Sequence, residues 1–223
     1  MKRFVEIAVG LAVLISLSSC DLFLAEKGGH WNPLDPDYDP AQKTLTPEID
    51  GFIHGDSGGY ETYNRMFSRQ DLQIDYLNDG ANYGICCTLL RFDLSTFPAG
   101  ASVDHAMLNL TVNFCDPCIT SETPIEIYRI GQQWDQASVE MTTVLAAPFL
   151  SGTYGAGYIP KGAADRDIIT VDVTPIMQEW LSGIPNYGLM IRVPATTGYE
   201  ISCYASEAGA QGPALSVAYT WIP

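Results

Sequence analysis

The sequence predicts an all-β protein, a jelly-roll-like β-sandwich of about nine strands with one short helix. Three observations carry this. Apolar residues alternate with polar ones in segment after segment. Turn signals separate those segments. The composition, with 12 Tyr and 20 Gly among 223 residues, suits strands and tight turns rather than helices.

The alternation begins near residue 47, and strands are expected near 49–54 and 71–76. From Ile85 to Leu94, Leu90, Phe92 and Leu94 share one face while Arg91, Asp93 and Ser95 share the other. Ala106–Val112, Ile125–Ile130 and Leu215–Tyr219 alternate in the same way, and 168–173, 187–193 and 199–206 complete the set. Period two with polar partners means strands buried on one face. Adjacent Cys86 and Cys87 then point to opposite faces, so at most one of them faces the core. Turns are expected at Asn78-Asp79-Gly80, Pro98-Ala99-Gly100, Pro185-Asn186 and Gly209 to Pro213. The helix starts at Thr174 as cap, with Pro175 at its first position. Ile176 and Trp180 lie four apart on one face, and Gly183 closes it. A second short turn follows Trp134, at Asp135 to Val139.

The first 46 residues read as an address and a tether. Met1-Lys2-Arg3 is positive, Phe4 to Leu17 is apolar apart from Glu6, and small residues follow, so residues 1–19 are expected to be a secretory signal peptide. The apolar run is short for a membrane span, which needs about 20 residues. Leu17-Ser18-Ser19-Cys20 resembles a bacterial lipobox, which implies cleavage before Cys20 and lipid on its sulfur. Residues 20–46 then form a lipidated tether, kept extended by Pro33, Pro36 and Pro40. Asp35, Asp37 and Asp39 open like a calcium loop, but Pro40 and Thr46 stand where that loop needs Gly and Glu. A structural calcium ion therefore has no specific motif behind it, and no cofactor or metal is expected. Residues 47–223 are the sandwich domain.

Charge narrows the partners. With 11 Lys+Arg against 26 Asp+Glu, the formal net charge is −15. Such a chain repels phosphate backbones, so no nucleic acid is expected. Anionic lipid headgroups are excluded for the folded body on the same ground, leaving the N-terminal lipid as the membrane contact. Anionic polysaccharides are disfavoured unless cations bridge.

Two motifs invite a chemical reading. Gly55-Asp56-Ser57-Gly58-Gly59 spells a serine-nucleophile sequence, but a nucleophile needs a base and an orienting acid. His30 and His54 precede it, one in the tether and one three residues away, and only His105 follows. A Gly-rich turn accounts for the motif, and no catalytic residue is expected. Cys115-Asp116-Pro117-Cys118 is open to three readings: a redox pair, half of a zinc site with Cys86 or Cys87 and Cys203, or a small disulfide. In an exported protein the Cys115–Cys118 disulfide is the default.

Aromatic residues among glycines are the best sequence hint of a ligand site. Tyr154 and Tyr158 lie in Gly152–Tyr158, Tyr60 and Tyr63 in Gly58–Tyr63, and Tyr199 in Thr197–Glu200; all three stretches read as loops. Sugar rings stack their C–H faces on such rings, while polar neighbours fix the hydroxyls.

Taken in order, several pieces resemble the DNRLRE domain of exported bacterial and archaeal proteins. They are Leu89-Leu90-Arg91-Phe92-Asp93-Leu94-Ser95, Pro98-Ala99-Gly100-Ala101, Tyr128-Arg129, and Trp134-Asp135-Gln136-Ala137-Ser138-Val139. Val171-Asp172-Val173-Thr174, Asn186-Tyr187-Gly188-Leu189 and Ser206-Glu207-Ala208 complete the series. The resemblance implies a jelly-roll-type β-sandwich without a catalytic centre, and some members of that family are classed as carbohydrate-binding modules. Gly58–Tyr63 replaces the family's first Asn-Tyr-Gly turn, and the five body cysteines are extra. Arg91, Asp93 and Asp172 read as pairing or turn-fixing groups. The leading expectation is a non-catalytic, exported envelope lipoprotein, membrane-anchored toward periplasm or cell exterior, that binds glycan through its loops. The alternative is a structural or adhesion module that contacts envelope proteins.

Overall fold

From Ala106 to Val112 every second residue is buried, and the residues between are partly exposed. This alternation lets a long strand face a core on one side and solvent on the other. The strand, β7 (Ser102–Cys115), is the backbone of the first of two antiparallel sheets. The structure is a computed structural model that describes residues 40–55, 63–67, 70–78, 83–116, 119–140, 150–194 and 200–221; for 63–67, 76–78, 83 and 150–156 it describes the backbone.

The first sheet runs β1 (Ala41–Leu45), β13 (Ala214–Thr220), β7, β12 (Ile201–Tyr204), β4 (Asp71–Gln73), with β10 (Ile168–Asp172) also paired to β7. The second runs β3 (Tyr63–Phe67), β2 (Pro47–Gly55), β6 (Tyr83–Phe92), β11 (Leu189–Arg192), β8 (Thr123–Ile130), β9 (Leu150–Ile159), with β5 (Tyr76–Asn78) on β6. The all-β sandwich is as expected, with thirteen strands among the described residues where about nine were anticipated. Of the four extra strands, one arises because the segment expected near 71–76 divides into β4 and β5, which lie in different sheets, and the other three have causes of their own. Ala41–Leu45, expected at the end of the tether, pairs with β13 from Ala41↔Tyr219 to Leu45↔Leu215. Tyr63–Phe67 adds an edge strand to β2.

The third extra strand corrects a loop. Gly152–Tyr158 lies inside β9, paired to β8. Its glycines read as flexibility, but Gly157 answers a packing need. A Cβ there would stand 2.6 Å from Val171 Cγ2 of the facing sheet and 3.1 Å from the Ile125 side chain. Bare backbone lets the sheets close together at this edge.

The second sheet departs from the expectation of one buried face. Ile85, Cys86, Cys87, Leu89, Leu90 and Phe92 are all buried, so both faces of β6 are covered. Cys86 and Cys87 still point opposite ways, yet both are buried. The run Ile85–Leu90 has the near-continuous apolar character of such a strand. Trp134 and Val139, from the segment after β8, belong to the same buried cluster.

The helix α1 (Thr174–Leu181) buries Ile176, Met177 and Trp180, as its spacing predicts. Its start differs from the expected cap. The Thr174 hydroxyl accepts from the Ala106 N–H at 2.9 Å, and Asp172 Oδ1 accepts from the Thr174 N–H at 2.8 Å. Asp172 thus fixes the turn into the helix. Asp93 does the same for its own turn, accepting from the Ser95 N–H and hydroxyl, and Arg91 pairs with Glu48. These three residues behave as the turn-fixing and pairing groups that their positions suggest.

Two connections hold the ends of the sandwich. Asp50, buried in β2, accepts from the Ser206 N–H and hydroxyl at 2.7 Å each, fixing the start of a 3-10 turn (Ser206–Gln211). Gly188 has φ +99°, and a Cβ would run into the Leu90 carbonyl, so only glycine fits. Asn186 braces this bend, accepting from the Gly188 N–H and donating to the Phe92 carbonyl.

Candidate functional site

The expected ligand residues separate in the fold. Tyr60 and Tyr199 lie outside the described residues, as do Cys20, Cys118 and Ser57. Tyr63 starts β3, and Tyr154 and Tyr158 lie on β9, the opposite edge of the same sheet. Five strand spacings separate those edges, about 24 Å, so Tyr63 does not share a site with Tyr158. Tyr154 is the extra residue of a bulge, because Ile127 pairs with Gly155 while Tyr128 pairs with Thr153.

Tyr158 carries the clearest ligand chemistry. It is 57% exposed and stands opposite Pro124, which is also exposed. The neighbouring Gly157 faces Val171 of the other sheet, so alternation turns Tyr158 to the outside. Glu126 lies two residues along β8 from Pro124, on the same face and within about 8 Å, and it pairs across β11 with Arg192. Register thus brings Tyr158, Glu126 and Arg192 onto one outer patch.

That patch is built on a network. Arg192 Nε donates to Glu126 Oε2 at 2.9 Å, and Arg192 Nη2 donates to the Tyr128 hydroxyl at 2.6 Å. The Tyr128 hydroxyl donates to Glu126 Oε2 at 2.7 Å. The guanidinium carbon lies 4.7 Å from the Tyr128 ring centre. Tyr128 is buried beneath the pair, while Glu126 and Arg192 are partly exposed. Burial pulls the guanidinium pKa down, but the hydrogen bond to Glu126 and nearby negative charge outweigh it, so Arg192 is held above its ordinary value. Arg192 Nη1 and Glu126 Oε1 have no partner among the described residues, leaving a donor and an acceptor uncommitted on the face that Tyr158 shares. This pattern suits a sugar, whose neighbouring hydroxyls each donate and accept.

The cysteines lie elsewhere. Cys86, Cys87 and Cys203 are buried free thiols, and Cys115 is a half-buried one. Burial pushes Cys87 and Cys203 up to about 12, and raises Cys86 and Cys115 as well. The three buried cysteines are therefore held as thiols, the unreactive form, while the expected partner of Cys115, Cys118, lies outside the described residues. Among the described residues, no group of three or more His, Cys, Asp or Glu is placed to hold a metal ion. Beside Cys86 lies Asp75, 3% exposed. Burial pushes its carboxyl up to about 6, against the pull of its hydrogen bond with Cys86.

The sequence contained the parts of the patch without their arrangement. Glu126 and Tyr128 show as the non-core positions of an alternating segment, but their meeting with Arg192 depends on the β8–β11 register, which no local pattern encodes.

The model of carbohydrate-binding module family 96 matches residues 41–219, from the first residue of β1 into β13. The match covers most of the chain, which belongs to that family. A comparison with curated proteins finds no match.

Proposed function

We propose that the chain is a non-catalytic, exported lipoprotein of DNRLRE type that holds a neutral polysaccharide on the β8–β9–β11 patch; the family match supports carbohydrate binding, and the sequence of residues 1–20 supports export and lipidation. The observation that carries the site is Tyr158, exposed on an edge strand beside the Glu126–Arg192 pair. A sugar ring stacks its C–H face on Tyr158, and its hydroxyls meet Glu126 Oε1 and Arg192 Nη1. The network to Tyr128 holds both charged groups before ligand arrives, which limits the ordering cost of binding. The overall charge of −15 favours a neutral ligand over an anionic one. Lipid on Cys20 anchors the module to the membrane, with residues 21–40 as spacer. Tyr60, Tyr63, Tyr154 and Tyr199 are the remaining aromatic candidates, and Tyr154 shares the edge strand with Tyr158.

A screen of neutral and anionic polysaccharides by affinity electrophoresis tests this reading, with Tyr158→Ala alongside wild type. Retardation by a neutral polysaccharide that weakens about tenfold in the variant is expected. If no polysaccharide retards the protein, or if Tyr158→Ala changes nothing, the patch is not the site. Recovery of an envelope protein by crosslinking, without glycan binding, favours the adhesion reading.

A further inference from the structure

A concavity lies on the same sheet, away from Tyr158. Arg91, on β6, and the turn that follows Trp134 line an open cleft of about 330 Å³. That volume is at the small end of ligand pockets, about 300–1,000 Å³, and suits one sugar ring rather than a chain segment. Counting strand spacings and residue rises across β6, β11, β8 and β9 puts it about 25 Å from Tyr158.

Its walls are fixed from behind. The Trp134 indole N–H donates to the Tyr187 carbonyl at 2.6 Å. Arg91 is held by Glu48 at 2.6 Å, with its guanidinium 5.9 Å from the Trp134 ring centre. Asp135 Oδ1 accepts from the Ala137 N–H at 2.7 Å, and its carbonyl accepts from the Val139 N–H at 2.9 Å. The carboxamides of Gln133 and Gln136, which also line the cleft, make no hydrogen bond to another described residue. An amide offers donors and an acceptor together, which is the complement of adjacent sugar hydroxyls. The local charge is not positive, because Glu48 neutralises Arg91 and Asp135 adds a carboxylate.

We propose that this cleft is a second binding site, which takes a single neutral sugar residue, a chain terminus or a branch, through Gln133 and Gln136. The proposal rests on the carbohydrate-binding reading but not on the Tyr158 patch, so the two fail separately. A uronate or sulfated sugar is disfavoured there by the carboxylates.

The test titrates free neutral hexoses into the full-length chain and follows the Trp134 indole N–H by NMR. Selective, saturable shifts are expected, weakened about tenfold by Gln133→Ala with Gln136→Ala and unchanged by Tyr158→Ala. Both glutamines are solvent-facing enough that their loss leaves the fold intact, which a thermal melt checks. Absence of shifts with every hexose, or shifts unaffected by the glutamine substitutions, overturns the proposal. Equal binding of hexuronic acids overturns the stated ligand class. Polysaccharide retention that survives the glutamine substitutions but is lost in Tyr158→Ala shows that the outer patch works without the cleft. If hexose shifts persist when no polysaccharide binds, the patch has failed and the cleft has not.

Discussion

The Arg192 guanidinium lies 4.7 Å from the centre of the Tyr128 ring, and the same tyrosine's hydroxyl accepts from Arg192 Nη2 at 2.6 Å. One aromatic side chain therefore supports the arginine through both its face and its hydroxyl. A planar, five-donor group meets both demands while still reaching Glu126; a lysine ammonium does not. Arg192→Lys is expected to weaken polysaccharide retention about tenfold while costing only about 1 kcal/mol of stability, read by affinity electrophoresis and urea denaturation.

Gly157→Ala tests the close approach of the sheets. The added methyl meets Val171 Cγ2 and Ile125, and overpacking of this kind costs about 1–3 kcal/mol. Val171→Ala in the same chain is expected to recover part of that loss, giving a favourable coupling in a double-mutant cycle.

Asp75 gives a stability signature in pH. Its folded pKa is raised, mainly by burial, to about 6 from 3.8, so the folded state holds this proton more tightly than the unfolded state does. Its contribution is fully favourable below the unfolded value and is lost as pH rises through about 6. At pH 8 the ionised, buried carboxylate costs up to about 3 kcal/mol. Asp75→Asn is expected to be more stable than wild type at pH 8, with the advantage vanishing near pH 4. Parallel denaturation curves at the two pH values measure it, and an equal difference at both overturns the assignment.

Gly188→Ala is expected to lower stability by at least about 2 kcal/mol. It places a side chain at φ +99° and against the Leu90 carbonyl. Thermal unfolding reads the loss. Gly100→Ala is the control, because it shares a positive φ but has open space around it.

Period-two alternation made the core strands legible. Leu108, Leu110, Ile125, Ile127, Leu215 and Val217 are all buried where the pattern puts them. The same logic failed where a residue's reason was tertiary. Gly157 reads locally as a loop signal, and only the presence of Val171 across the sandwich explains it. Thr174 has the chemistry of a helix cap, but its hydroxyl is engaged by Ala106, 68 residues away. Tyr158 is exposed, on a strand rather than in the expected loop. Glu126 and Arg192, which share its face, lie 66 residues apart in sequence, and no local pattern joins them.

The pairing of β1 with β13 joins the earliest described strand to the last. Asp50 likewise waits for Ser206, 156 residues later. Synthesis must therefore deliver nearly the whole chain before the first sheet can complete its edge. Premature termination before Ala214 would strand β1 without a neighbour and bare one rim of β7, a template for self-association.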